Sequence, residues 1–366
     1  MSMYQSRCAD AQERMRVQGL DYLLVAPSSD MFYLVGYAGH ITERLTVFVL
    51  PAQGEPTMVL PAFEAGRMQP LATFFSLETW EEMDDPYAAL TRVLKDDAKR
   101  PIQVGVSDQQ WASFLLGYQD ALSEASFVLG SRITGPMRIT KRPEEIELLR
   151  AVNRFNDAAF TEFVTMPMAG MTERQLYDRL AGLMKKHGQD SVAFANPYSG
   201  PNAGKPHNIP GDRVVREGDV VFFDFGGVYK GYYSDTTRAV VVGSMPEEFE
   251  KVYNVVREAQ QAAIDAIRPG VPIGDVDVAA REVITEAGYG PNFLHRVGHG
   301  LGLDEHEPPY LTSDNREPLQ VGMTFSVEPG IYFPGRWGVR IEDTLLVTET
   351  GGERLSHCSR DIQVVS

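Results

Sequence analysis

Residues 220–238 read VVFFDFGGVYKGYYSDTTR, and the two aspartates in this stretch decide how the second half of the chain is read. Asp224 interrupts an apolar run, with Phe222, Phe223 and Phe225 around it. A lone carboxylate buried among such residues is costly unless something compensates its charge. Residues 228–231 carry turn chemistry, and a strand pattern resumes through 239–242, so the segment predicts a β-hairpin. Asp224 and Asp235 lie eleven positions apart, which lets the paired strands bring them side by side. The three phenylalanines argue against a surface hairpin with solvated acids.

Three more apolar, glycine-punctuated segments carry isolated polar groups. Residues 295–302, HRVGHGLG, run into LDEHEPP and place three of the chain's seven histidines within twelve positions. Glycines here allow close backbone approach. Residues 324–330, TFSVEPG, hold Glu328, and residues 337–344, WGVRIEDT, hold Arg340 and Glu342. On a strand Arg340 and Glu342 share a face, so Arg340 either orients Glu342, holds a substrate or forms a surface ion pair. Together Asp224, Asp235, His299, Glu328 and Glu342 are oxygen and imidazole ligands of the type two divalent cations require. The chain reads as a dinuclear metallohydrolase. The loop 200–207, GPNAGKPH, ends in His207 and is a weak signal by itself.

Outside these motifs the pattern predicts a two-domain α/β (α+β) protein, with domains 1–135 and 136–366. In the first domain, helices over 5–18, 86–95 and 109–122 alternate with strands at 22–26, 45–50, 57–60 and 102–106, which implies a mixed sheet. Residues 131–143, SRITGPMRITKRP, are basic and broken by two prolines, so the boundary falls there. Helices follow from Pro143 to about 163, then over 172–186, 251–267 and 273–287. Glu173 and Arg174 open the second of these. Strand-rich segments at 214–242 and 323–348 lie between and after them. Two helices followed by strands, twice over, suggest an internally duplicated unit, although no close residue-level repeat supports it.

Composition narrows the partners. With 34 basic and 50 acidic residues the net charge is −16, which disfavours nucleic acid and anionic membranes. Cys8 and Cys358 have no metal-type spacing and fit a reducing compartment. The N-terminal segment has no apolar signal core, and no run is long enough to span a bilayer. A cytoplasmic location follows as the expectation.

The motif set resembles the pita-bread family that contains aminopeptidase P, prolidase, methionine aminopeptidase and creatinase. The stretch 295–307 is similar to the aminopeptidase P and prolidase signature, with Glu305 where Ile or Val is usual. Residues 30–39, DMFYLVGYAG, are similar to the start of a creatinase-type N-terminal domain. The resemblance implies a C-terminal pita-bread metallopeptidase domain and a smaller creatinase-type N-terminal α/β domain. It implies hydrolysis of Xaa-Pro peptide bonds with two divalent metals, manganese before cobalt or zinc. Asp224 would chelate one metal, His299 and Glu328 the other, with Asp235 and Glu342 bridging. Glu328 would move the proton, His306 would stabilise the oxyanion and His207 would position substrate. His295 and Arg340 match positions that line the substrate site. Tyr310 stands where many dipeptide-cleaving prolidases have an arginine for the substrate carboxylate; Arg316 and His207 are the candidates to compensate, and dipeptide and longer Xaa-Pro substrates (aminopeptidase P type) both stay open. A small peptide substrate and a homodimer belong to the same expectation.

Two alternatives remain open in the sequence. One is a small-molecule C–N hydrolase of the ectoine-hydrolase kind. The other is an inactive pita-bread binding module, which the complete ligand set disfavours. A lyase of this fold would carry an acid where Gly226 stands.

Overall fold

The structure is a computed structural model that describes residues 2–366. The chain divides into two compact units, residues 1–138 and 139–366.

The first unit is built on a six-stranded mixed sheet. In spatial order its strands are Ser76–Trp80, Thr57–Pro61, Val47–Pro51, Tyr22–Val25, Gln103–Val106 and Ser126–Leu129. The Tyr22–Val25 strand pairs antiparallel to one neighbour and parallel to the other. Leu24, Val47, Val49, Val59 and Val104 bury the face under the helices Pro86–Leu94 and Ala112–Ala121. The segment 131–143 departs from the sequence reading. Residues Ser131–Ile139 form a helix with Pro136 inside it, where a polar break was expected. Asp30 explains the helix's stability. Its carboxylate accepts from Thr134 Oγ1 and pairs with Arg138 Nη1, each at 2.8 Å. The aspartate of the DMFYLVGYAG motif is thus a structural clamp within this unit.

The second unit repeats one architecture. Helices Pro143–Phe163 and Glu173–Lys186 precede strands Ser191–Ser199, Val220–Tyr229 and Thr236–Val242. Helices Phe249–Ala266 and Ile273–Glu286 precede strands Gly298–Gly300, Glu307–Leu311, Thr324–Val327 and Asp343–Val347. Each strand group forms its own sheet, and an isolated bridge from Thr237 to Glu342 joins them. A two-stranded ribbon, Gly330–Phe333 with Trp337–Arg340, completes the unit.

Side-chain alternation along Val220–Tyr229 positions the site. Val221, Phe223 and Phe225 pack against Phe160, Phe163, Leu176 and Leu180 of the first helix pair. Val220 and Phe222 join the opposite cluster, with Phe249, Val252 and Val256. Asp224 has the parity of Phe222, so it faces away from the first helix pair. The predicted hairpin turn is present, with Lys230 and Gly231 both at positive φ (49° and 86°).

Candidate active site

Asp224 stands opposite Thr237 across the hairpin, and Asp235 comes just before the Thr236–Val242 strand. Glu328 follows directly on the Thr324–Val327 strand, and Glu342 lies between Trp337–Arg340 and Asp343–Val347. His299 sits at the centre of the Gly298–Gly300 strand. Groups of ligand atoms from Asp224, Asp235 and Glu342, from His299, Glu328 and Glu342, and from Asp235, His299 and His306 each lie within 4.8 Å of one another. The five residues singled out in the sequence therefore converge, although the outermost two are 118 positions apart (342 − 224).

Hydrogen bonds orient the ligands. His299 Nδ1 is 3.1 Å from the Gly300 carbonyl, which accepts its proton and leaves the Nε2 lone pair facing the carboxylates. Nε2 is 3.4 Å from Glu328 and 3.6 Å from Asp235. Burial drives the His299 pKa down to about 3, with the neighbouring His306 adding to the effect. The ring is neutral, so those approaches are ligand-like geometry rather than ion pairs. Its face lies against His306, ring centroids 3.7 Å apart. Ser326 bridges the two ligand strands by accepting from His299 N (3.1 Å) and donating to Glu328 Oε1 (3.2 Å).

Thr237 and Arg340 organise the other side. Thr237 Oγ1 donates to Glu342 Oε2 at 2.6 Å and accepts from Arg340 Nε at 2.9 Å. Arg340, almost fully buried, meets Asp224 at 2.5 Å, lies 3.8 Å from Glu342 and 3.9 Å from Glu328, and donates to the Pro206 carbonyl. One guanidinium thus serves three acids and the backbone beside His207. His295 is tied to this group through Tyr332, whose hydroxyl is 2.9 Å from its Nε2. Desolvation, followed by the Arg340 charge, pushes the pKa of this part-buried ring down to about 4.

Electrostatics make the cluster a candidate cation site. Burial, followed by the repulsion of Glu342 and Asp224, holds the Asp235 pKa well above the carboxylate range. Burial and Glu328 do the same to Glu342. Burial raises Glu328 to about 7. Asp235 Oδ1 is buried with no hydrogen-bond partner among the described residues. Four acids around one neutral imidazole, with an orphaned carboxylate oxygen, fit divalent cations.

All five residues line one cavity of about 490 Å³, with His207, His295, His306 and Arg340. Phe194, Asn196 and Tyr198 of the Ser191–Ser199 strand form another part of the wall. Tyr310 does not line it. Its ring lies beside the Arg296 guanidinium, 4.4 Å from centroid to carbon, and Arg296 does face the cavity. Arg316, expected to compensate at Tyr310, is instead an exposed partner of Asp275 at 3.5 Å.

Sequence reading passed over several supports. Thr237 lies two positions after Asp235 and so shares its strand parity, a readable signal. Arg238, three positions after Asp235 and readable in the sequence as a support behind it, is buried on the other face, pairs with Asp343 at 2.5 Å and donates to the carbonyls of Glu342, Cys358 and Ser359. Glu173 was read as a helix-start charge. Its carboxylate is fully buried and accepts from Ser199 N, Ser199 Oγ, Asn202 Nδ2 and Gly211 N, which pins the loop carrying His207. Lys141, read as part of a polar linker, makes a buried 2.7 Å pair with Glu307 of the signature stretch. Their partners lie far away in sequence, and nothing local announces them.

A buried acid–histidine cluster that could hold metal ions lies in a cavity, carried by two sheets that each follow a helix pair, within a two-domain α/β chain. The model of metallopeptidase family M24 matches residues 147–349, that of the creatinase/prolidase N-terminal domain matches 7–140, and the chain belongs to metallopeptidase family M24. It is 40% identical to the probable dipeptidase PepE of Mycobacterium tuberculosis over 99% of this chain and 97% of the relative. Among solved structures, a recombinant prolidase from Thermococcus sibiricus superposes with a TM-score of 0.95 at 35% identity, covering 100% of both chains. A dipeptidase from Pyrococcus horikoshii gives 0.93 at 36% identity, covering 98% of this chain and 100% of that one. Among the described residues no helix is long and apolar enough to cross a membrane.

Proposed function

We propose that the protein hydrolyses Xaa-Pro bonds in short peptides with two divalent metal ions, manganese first. The observation that carries the metal pair is the interleaving of three groups in which Asp235, His299 and Glu342 each belong to two. Overlapping groups of this kind suit two adjacent cations with shared carboxylates. Asp224 would hold one ion and His299 with Glu328 the other, with Asp235 and Glu342 between them. When bound, such ions lower the pKa of water toward neutrality and polarise a carbonyl.

The chain's own groups supply the rest. Glu328 is only slightly exposed and lines the cavity, where its carboxylate accepts the water proton and returns it to the departing nitrogen. That delivery matters for proline, whose nitrogen leaves as a secondary amine. His306 stands over His299 at the cavity wall and stabilises the developing oxyanion as an N–H donor. His207, on the loop held by Glu173 and Arg340, positions the peptide. Peptidase names among the relatives favour this substrate class over a small-molecule C–N hydrolase. A homodimer and a cytoplasmic setting belong to the same reading, and the two buried free thiols fit a reducing compartment.

The test is metal-stripped protein assayed on Ala-Pro and Ala-Pro-Ala before and after Mn²⁺ addition. Metal-restored cleavage of either peptide supports the reading. No cleavage, with two metals bound, refutes it in favour of a C–N hydrolase.

A further inference from the structure

Five acids line the cavity, and four of them, Asp224, Asp235, Glu328 and Glu342, belong to the interleaved ligand groups. Their four charges offset those of two divalent cations. Glu305 belongs to none of these groups and is left over. Among the described residues no lysine or arginine lies within ion-pair distance of it. His306 is 3.9 Å away, and burial lowers the pKa of that ring, so it brings no charge at neutral pH. The charge that acts on Glu305 is that of Asp224, another acid. Arg340 is committed to Asp224, Thr237 and the Pro206 carbonyl, and Arg296 stacks on Tyr310. The backbone fixes Glu305 from both sides. Residues 301–306 join the strands Gly298–Gly300 and Glu307–Leu311. Before Glu305, Gly302 N donates to the Asp304 carbonyl at 3.1 Å, and the Gly302 carbonyl accepts from Tyr233 N at 2.8 Å. After it, Glu307 is locked by its buried pair with Lys141 and accepts from Asp304 N. Glu305 is thus a carboxylate on a pinned turn, 45% exposed at the cavity and without a counter-charge. Phe194 and Tyr198 in the same wall offer apolar surface to the methylene stem of a long basic side chain.

We propose that Glu305 binds the cationic side chain of a lysine or arginine at the Xaa position, and so makes the protein favour basic Xaa-Pro peptides. This rests on the Xaa-Pro reading above. Position 305 is where the 295–307 stretch departs from the family signature, so the preference is this chain's own. With the other four acids turned to the metals, a ligand ammonium meets one carboxylate that has no other partner.

Two other roles compete. A solvated acid at the rim would not discriminate between side chains, and a partner for the peptide's α-ammonium would serve every peptide alike. The experiment compares Lys-Pro with norleucyl-Pro on the Mn²⁺-loaded parent, on Glu305→Gln and on Glu305→Lys. The two peptides share a four-carbon side chain and differ in its terminal ammonium. The parent prefers Lys-Pro by roughly tenfold in kcat/KM, and the difference lies in KM. In Glu305→Gln the ratio falls to within about twofold of one, and in Glu305→Lys it inverts. A parent that does not prefer Lys-Pro, or a ratio that Glu305→Gln leaves unchanged because both peptides lose equally, overturns the proposal. If the parent cleaves neither peptide, the Xaa-Pro reading fails on its own, and calorimetric binding of the same two peptides decides for Glu305. Tighter binding of Lys-Pro that is lost in Glu305→Gln upholds the cation subsite. Equal binding of both, no binding of Lys-Pro, or a preference that survives in Glu305→Gln overturns it.

Discussion

Thr237→Val removes one hydroxyl and almost no volume, and the structure sets the size of the effect. The Thr237 hydroxyl has a single proton. Glu342 Oε2 at 2.6 Å takes it in preference to Asp224 Oδ1 at 3.4 Å. The same oxygen accepts from Arg340 Nε at 2.9 Å. Valine therefore deletes one charge-assisted bond to a ligand carboxylate and strips a buried guanidinium of one acceptor. Hydrogen bonds to charged groups contribute about 1.5–3 kcal/mol. That bond also holds the Glu342 pKa down against burial, so its loss favours the protonated acid, a poorer ligand. At about 1.4 kcal/mol per tenfold, Mn²⁺ affinity should fall roughly ten- to a hundredfold, the range typical of groups that orient metal ligands. The assay is Mn²⁺ titration of chelator-stripped protein, followed by restored peptide cleavage and by calorimetry. Thr237→Ser keeps the donor and should recover most of the affinity. A valine variant within threefold of the parent, with unchanged thermal stability, would refute the claim that Thr237 orients Glu342.

Three further outcomes follow from the same geometry. Glu328→Gln should abolish hydrolysis, since a ligand charge and the proton acceptor go together; activity within threefold of the parent sinks the assignment. Glu173→Ala leaves buried donors at Ser199 and Gly211 unpaired, so urea stability should drop by roughly 2–4 kcal/mol and amides near 199–211 should exchange faster. Unchanged exchange there would show that Glu173 does not hold the loop. The metal-free protein should lose stability as pH rises above neutrality. His295 and His299 have folded pKa values of about 4 and 3, so their contribution is complete above roughly 6.5 and is lost only toward acid. Asp235, Glu328 and Glu342 titrate high, so their contribution is present at low pH and lost as pH rises through their folded values. Above about pH 6.5 only the acids act, and the Tm in chelator should fall toward pH 8.5. Mn²⁺ should reverse that slope, because ligands bind metal deprotonated. A flat or rising Tm in chelator contradicts the raised carboxylates.

The five converging residues stood out in the sequence because each interrupts the local pattern. Asp224 among phenylalanines, His299 between glycines and Glu328 before Pro329 are each out of place for solubility or packing alone. The hairpin was equally legible, since Lys230-Gly231 suits a turn that needs positive φ at both central residues. The helix pairs followed from their start and stop residues, Pro143 at one end and His187-Gly188, Pro269-Gly270 and Gly288 at others. These signals are local, and each lies within a few residues of what it specifies.

Other features were decided by packing between distant segments. Pro136 suggested a break, yet Asp30, more than a hundred positions away, holds Thr134 and Arg138 and the helix continues through it. Glu173 and Lys141 looked like surface charges and are buried because Ser199, Asn202, Gly211 and Glu307 receive them. Arg340 was ambiguous between ligand support, substrate contact and surface pair until Asp224 and Thr237 were seen to occupy it. Arg296 carried no signal at all, because its environment is made by Tyr310 from the neighbouring strand and by Arg281 from a helix. A residue's type is written in the sequence, and so is the cost of burying it. Which partner offsets that cost depends on the tertiary structure, because the donors and acceptors come from segments that only folding brings within 3 Å.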